Sequence, residues 1–398
     1  MKGTVFFMKN KIGKILSCIS CLLAAVMLTA AAFPVTAGAS SGGTAPELGL
    51  DCASAILMEA STGKVLYEKN ADEALPPASV TKIMTLLLVM EAMERGVLGL
   101  DTVLTTSTRA SKMGGSQIYL KEGEQMRAED LIKSVVIASA NDAAVVLAEA
   151  VAGSEEAFVA EMNRRAAELG MKTAHFENTN GLDDTVTDHV LSARDIAIMS
   201  RELIKHKKIL EFSSTWMDTV RDGAFGLTNT NRLIRFYRGA TGLKTGSTSK
   251  AKFCMSATAE RDGMSLIAVI MAAPTRDARN SAAAALLDWG FANYSVYTYP
   301  AGDDAELAVT GGVINTLHTV HGDFTAVVKK GDEKKVAATP SLPESVAAPV
   351  KEGDVVGGID FTLDGSSLGN IPITAAHGVE KISFGGLLGR MLRRFFLT

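Results

Sequence analysis

Three short groups in this chain bring a hydroxyl together with an amine or an amide: Ser79-Val80-Thr81-Lys82, Ser139-Ala140-Asn141 and Lys244-Thr245-Gly246. A serine hydroxyl is a poor nucleophile until something takes its proton. Lys82 follows Ser79 by three residues, so on a helix its amine lies on the same face as the hydroxyl. A lysine serves as base only if burial or a neighbouring cation holds it neutral. Ser79 is expected in the first turn of a helix, where free N–H groups favour developing negative charge. Ser139 and Asn141, between two apolar segments, can set a hydroxyl and an amide against one pocket. Taken singly, each group also has a plain structural explanation: a capping serine, a solvated lysine, a helix cap.

The elements around these groups say how they must be held. Pro76 and Pro77 stop whatever precedes them, and the apolar run 83–93 has no polar face, which predicts a buried central helix closing near Gly96. Residues 53–58 and 63–67 read as a hairpin turning at 60–63. Gly114-Gly115-Ser116 marks a loop, residues 126–132 start a helix, and 158–169 is an amphipathic helix ending at Gly170. Asn178 to Leu182 is turn chemistry, and Ser192-Ala193-Arg194-Asp195 caps a helix over 196–204. Strands are expected at 252–258 and 265–271, then a helix over 282–289. Strands, then helices, then strands again predict an α+β domain whose sheet is assembled from both ends, with helices packed on it.

The chain has 398 residues, of which 47% are hydrophobic: room for two domains and a large core. A net charge of −4 and the lack of a basic stripe argue against nucleic acid as a partner. Residues 1–39 read as a signal peptide, with Lys2, Lys9, Lys11 and Lys14 before an apolar stretch and a small-x-small site at Ala37-Gly38-Ala39. The competing reading is an uncleaved anchor; either way the rest is exported. Cys18 and Cys21 fall inside this segment; Cys52 and Cys254 either pair or remain buried thiols, the latter favoured. No spacing suggests a metal or another cofactor. Past Tyr294 short apolar stretches alternate with glycine-rich turns and are broken by Pro340, Pro343 and Pro349, the texture of a small all-β module. At the end, Phe384, Leu387, Leu388, Met391, Leu392, Phe395 and Phe396 share one helical face and Arg390, Arg393 and Arg394 the other. That pattern suits a helix lying in a membrane interface and attracted to anionic lipid, with docking on the protein's own core as the alternative.

Ser-x-x-Lys, Ser-x-Asn and Lys-Thr-Gly in that order form a pattern that none makes alone, one shared by penicillin-binding proteins and class A β-lactamases. The flanking residues 75–85, Ala138 to Ala143, Ser192 to Asp195 and Ala273 to Arg279 resemble the low-molecular-mass D-alanyl-D-alanine carboxypeptidases. The similarity is dense from about residue 53 to 294 and looser beyond. It implies a β-lactamase/transpeptidase-like catalytic domain with an antiparallel sheet flanked by helices (45–295), a β-sandwich-like domain (296–380) and an amphipathic membrane-associating helix (381–398). It further implies that Ser79 attacks the carbonyl between the two terminal D-alanines of a peptidoglycan stem peptide. Lys82, its pKa lowered by burial and by Lys244, would take the proton. The N–H groups of Ser79 and Ser247 would form an oxyanion hole, and Ser139 and Asn141 would relay the proton and hold the peptide amide. Lys244, Thr245 and Arg279 would grip the terminal carboxylate, with Gly246 on the same strand. The implied location is the outer face of the cytoplasmic membrane. In two places the chain departs from the family: Ser247 stands where His or Tyr is common, and the Asn180 turn lacks the usual Asn-Pro-x-Gly.

A class A β-lactamase needs a carboxylate for deacylation, in a Glu-x-x-Leu-Asn segment that is absent here. Glu177 lies in the right region but in another context, so β-lactams are expected to act as covalent inhibitors trapped on the enzyme. A second reading is a non-catalytic penicillin-binding sensor or wall-binding protein. A Ser-His-Asp hydrolase is poorly supported, because His175, His189 and His206 sit in no motif and no Gly-x-Ser-x-Gly elbow occurs.

Overall fold

Ser54–Glu59 (β1) and Val65–Lys69 (β2) form the expected antiparallel hairpin. Both belong to a five-stranded sheet completed by Ala240–Thr248 (β3), Lys252–Arg261 (β4) and Met264–Ala273 (β5), in the order β2-β1-β5-β4-β3. Every neighbouring pair is antiparallel, so the first strands join the last through β1 and β5, as the order of elements predicts. The protein is described by a computed structural model over residues 47–184 and 186–396. The basic and apolar N-terminal segment, with Cys18, Cys21 and the expected cleavage site, lies outside the described residues.

The sheet is covered on both faces, which is why β5 reads as an unbroken apolar run. Side chains alternate across a strand. Leu57, Leu266, Ala268 and Ile270 point into one core layer, whereas Ile56, Ile267, Val269 and Met271 point into the other. The first layer is closed by a long helix that follows β5 in the chain. There, Lys82–Glu94 (α1) is central, with Ala128–Ile137 (α2), Asn141–Ala152 (α3), Glu155–Glu168 (α4) and Ala193–Leu203 (α5) around it. Ile83, Met84, Leu86, Leu87, Leu88, Val89 and Met90 of α1 are all buried, so the helix has no solvated face. The long helix on the first layer is Arg276–Asn293 (α6). A Cβ on its Gly290 would come within 2.6 Å of a Leu266 methyl and 2.8 Å of a Leu57 methyl, so glycine lets α6 press onto the strands.

Local differences from expectation have local causes. Ser79 does not sit in the first turn of α1; it lies in a 3₁₀ turn, Ala78–Thr81, that leads into it. Ala78 is left-handed (φ +47°) and interrupts regular helix geometry before Lys82. Residues 126–127 are not helical either. Gln125–Arg127 pairs as a short strand with Val103–Thr105, and α2 starts at Ala128 with Glu129 and Asp130 in its first turn. The cap on α5 is a full capping box between Ser192 and Asp195.

The C-terminal β part begins with Tyr294–Tyr299 (β6), followed by Gly302–Thr310 (β7), Thr316–His321 (β8), Phe324–Lys329 (β9), Val336–Ser341 (β10), Ser345–Ala347 (β11), Val355–Leu363 (β12) and Ser366–Ala375 (β13). β6 pairs with β9, and the others form a six-stranded sheet in the order β10-β12-β13-β8-β7-β11. Pro340 does not break a strand: it lies within β10, at the sheet edge, where proline is tolerated. Phe324 stacks on Phe361 with centroids 3.9 Å apart at the centre of a small apolar cluster. A last helix, Phe384–Phe396 (α7), carries no buried residue. Among the described residues, no helix is long and apolar enough to cross a membrane.

Candidate active site

The turn carrying Ser79 is held from three sides. From one side β3, an edge strand of the sheet, passes so close that a Cβ on Gly246 would lie 2.7 Å from the Pro77 carbonyl oxygen and 2.9 Å from the Ser79 nitrogen. From another, the 178–182 turn approaches until a Cβ on Gly181 (φ +82°) would overlap the Ala78 carbonyl. Beneath, the Thr81 hydroxyl donates to the Ala78 carbonyl at 2.8 Å and itself meets Nε2 of buried His189 at 2.8 Å. Since Nδ1 of His189 accepts the Glu177 N–H (3.1 Å), the proton of the neutral ring is on Nε2 and is donated to Thr81. Burial holds His189 neutral, its pKa lowered to about 4. The left-handed Ala78 is thus over-determined by its surroundings, as strained backbone at working sites is.

Lys82 is fully buried, with Nζ 3.0 Å from Ser79 Oγ, 2.6 Å from Asn141 Oδ1 and 2.9 Å from the Asn180 carbonyl. Burial, and then the charge of Lys244, push its pKa well below the ordinary lysine value, against a smaller opposing pull from Asp142. A neutral amine has two N–H donors and one lone pair. Two of its neighbours, the Asn141 and Asn180 oxygens, can only accept, so they take the two N–H groups. The lone pair is left facing Ser79, whose O–H then donates to it. This is the geometry a general base requires.

Asn141 is itself fixed by the 114–116 loop: its Nδ2 donates to the Gly114 carbonyl and its backbone N–H to that of Ser116, both at 2.7 Å. Ser139, between α2 and α3, is left-handed (φ +64°) and its hydroxyl accepts from Lys244 Nζ at 2.9 Å. Lys244 also donates to the Thr245 carbonyl at 2.8 Å, and Thr245 Oγ1 donates to Thr230 Oγ1 at 2.7 Å. Burial and then the positive charge of Arg279 lower the Lys244 pKa to about 7. Arg279, at the start of α6, is buried and donates to the Asn280 side chain; it acts on Lys244 through its charge. Ser247 follows on β3 and is exposed. The site therefore disfavours the charged form of the Lys82 amine beside Ser79, with Arg279 and the protonated fraction of Lys244 as its positive region.

All nine residues singled out from the sequence fall in this one region or on its walls. Four features were not anticipated: the Asn180 carbonyl on Lys82, the glycine contacts at 181 and 246, the His189–Thr81 brace, and the hydrogen bond from Thr248 to Asp183. The Asn-Gly turn was visible as turn chemistry, but nothing in its spelling says which turn of the chain it will touch. Glu177 is a loop residue whose carboxylate accepts the N–H groups of Thr187 and Asp188, at 3.1 and 3.0 Å. Cys52 and Cys254 are both free and buried. Among the described residues, no group of side chains could hold a metal.

Fold and site together define a penicillin-interacting serine peptidase. Residues 42–275 match the D-alanyl-D-alanine carboxypeptidase family and residues 306–381 the C-terminal domain of penicillin-binding protein 5. The chain belongs to the D-alanyl-D-alanine carboxypeptidase family. It is 39% identical to D-alanyl-D-alanine carboxypeptidase DacF of Bacillus subtilis (strain 168), over 94% of this chain and 97% of that one. To DacC of Escherichia coli (strain K12) it is 35% identical, over 86% and 87% of the two chains. Its fold matches penicillin binding protein 5 from Haemophilus influenzae with a TM-score of 0.75 at 29% identity, covering 85% of this chain and 100% of that one. Ampicillin-bound penicillin-binding protein D2 from Listeria monocytogenes matches at a TM-score of 0.57 and 34% identity, over 62% of this chain and 100% of that chain.

Proposed function

We propose that this enzyme removes the terminal D-alanine from peptidoglycan stem pentapeptides through an acyl-enzyme on Ser79. The observation that carries this reading is the 3.0 Å contact between the Ser79 hydroxyl and the amine of Lys82, whose other partners are acceptors only. Ser79 Oγ attacks the carbonyl of the penultimate D-alanine as Lys82 takes its proton. Developing charge on the carbonyl oxygen is met by the N–H groups of Ser79 and Ser247. The proton passes by way of Ser139 to the departing amine, and D-alanine leaves. Water then cleaves the ester, with Lys82 again as base. Asn141 holds the peptide amide, while Lys244, Thr245 and Arg279 bind the terminal carboxylate beside Gly246.

Glu177 is engaged with backbone of its own loop, which supports β-lactams acting as covalent inhibitors held in a slowly hydrolysed acyl-enzyme rather than as substrates. The catalytic part corresponds to residues 45–295, the β domain to 296–380 and the membrane-associating helix to 381–398, on a protein exported behind the signal at 1–39 and peripheral to the outer face of the membrane. Exposed Phe384, Phe395 and Phe396 on α7 support this placement.

The test is D-alanine release from a synthetic stem pentapeptide by the mature protein and by Ser79→Ala. Release that the substitution abolishes establishes the carboxypeptidase. Labelled penicillin attaching at Ser79 without any D-alanine release would hand the function to a penicillin-binding sensor. The pH dependence gives a second check. Lys244 binds carboxylate only as a cation, and its pKa of about 7 in the free enzyme sets the limb. Charge is present below that value and lost above it, so KM for the pentapeptide rises as pH passes through 7 to 8. A substrate with an amidated C-terminus shows no such rise; equal limbs for both would remove Lys244 from carboxylate binding.

A further inference from the structure

The helix α7 does not hang from the β domain as a loose tail. Arg390 reaches back to the turn between β7 and β8, with Nη1 donating to Asn315 Oδ1 at 2.8 Å and Nη2 to the carbonyls of Val313 and Gly312 at 2.8 and 3.2 Å. The segment leading into the helix is tied to the same turn. The Val313 N–H donates to the Glu380 carbonyl at 2.9 Å and the Ile382 N–H to that of Gly311 at 2.8 Å, around a bridge between Gly312 and Lys381. The turn itself has no slack: a Cβ on Gly312 would come within 2.7 Å of both the Ile314 carbonyl oxygen and a Val379 methyl.

At 100° per residue, Arg390 lies about 140° round the helix from the middle of its apolar row. The side that Arg390 fastens to the β domain is therefore opposite the side that carries Phe384, Leu388, Met391 and Phe395. Those apolar side chains are exposed, Phe384 to 83% and Phe395 to 84%. By the same count Arg393 lies about 160° from that middle, with an exposed side chain that makes no part of the clamp.

We infer that Arg390 is a positioning residue: it clamps α7 onto the Gly311–Asn315 turn so that a preformed apolar face is presented to an anionic lipid bilayer. This rests on the membrane reading given above and deepens it. From sequence, the three arginines looked equivalent, each a charge for lipid; the structure separates Arg390, whose guanidinium is spent on protein acceptors. A helix already ordered and oriented does not pay its ordering cost on binding. The clamp also fixes the attitude of the β domain, and with it the height of the catalytic site above the membrane.

The experiment uses the mature chain with vesicles of pure phosphatidylcholine and of phosphatidylcholine with phosphatidylglycerol. Arg390→Met and Asn315→Ala are compared with Arg393→Met. Arg393→Met, which removes a charge without touching the clamp, is expected to weaken partitioning by at most about fivefold and on anionic vesicles only, the upper worth of one basic residue at such a surface. Arg390→Met and Asn315→Ala are expected to weaken it by a common factor on both vesicle types. Energy transfer from a dye on the catalytic domain to a lipid-borne acceptor is expected to show a broadened height distribution for both, with D-alanine release in solution unchanged. The clamp is overturned if Arg390→Met behaves as Arg393→Met while Asn315→Ala has no effect. Wild-type protein that binds neither vesicle removes the membrane reading itself, and with it the clamp's purpose. Self-association through α7 in place of vesicle binding would assign the face to a second copy.

Discussion

Lys82→Ala is expected to lower D-alanine release from a stem pentapeptide by about a thousandfold, and acylation by labelled penicillin by a comparable factor. A positioned general base contributes about 10²- to 10⁴-fold, and here the base has no understudy. His189 is turned away, donating to Thr81, and Lys244 is occupied by Ser139 and the Thr245 carbonyl. The substitution also leaves the buried Asn141 and Asn180 oxygens without their donor, at a cost of about 1–3 kcal/mol each. Some loss of stability should therefore accompany the loss of rate, and penicillin acylation measured on folded protein separates the two. Because Ser79 and Lys82 work as a unit, the double variant should be no worse than Ser79→Ala alone. Substantial acylation surviving in Lys82→Ala would mean that the proton leaves by another route.

Gly246→Ala carries the second largest expected effect, for a steric reason. The added methyl would stand 2.7 Å from the Pro77 oxygen and 2.9 Å from the Ser79 nitrogen, backbone atoms that no rotamer change can move aside. Either β3 or the 3₁₀ turn must shift, and displacements near 1 Å at a reacting centre cost on the order of a hundredfold. The expected result is a fall of about 10²- to 10³-fold in kcat for D-alanine release, the range seen when an oxyanion donor is lost. KM should change less than kcat, and the denaturation midpoint should fall as well, since Gly246 is buried and paired with Cys254 of β4 and overpacking of this kind costs about 1–3 kcal/mol. Activity within a few-fold of wild type would show that β3 does not need to lie this close to Ser79.

The two glycines beside the nucleophile mark the limit of what could be read in advance. Gly246 belongs to Lys-Thr-Gly and was placed near the site for that reason. Gly181, in an ordinary-looking Asn-Gly turn, was not, although a Cβ there would overlap the Ala78 carbonyl. Turn residues announce a backbone conformation through local sterics, but the surface against which the turn packs is a long-range contact with no local signature. The same holds for the Asn180 carbonyl: the amine it meets is on a residue 98 positions away.

By itself the sequence determined the main strands of the catalytic sheet and the long helices on it, the buried α1, the reactive pairing of Ser79 with Lys82 and the amphipathic character of α7. Each of these is written in spacing of a few residues, where helix and strand periodicity turn sequence distance directly into geometry. Tertiary structure alone decided which carbonyls take the two N–H groups of Lys82, that burial and Arg279 bring the Lys244 pKa down to about 7, and that Arg390 faces protein while Arg393 does not. Those outcomes depend on how far separate segments exclude water from one another and which acceptors they bring along, and burial of that kind exists only once the segments have packed.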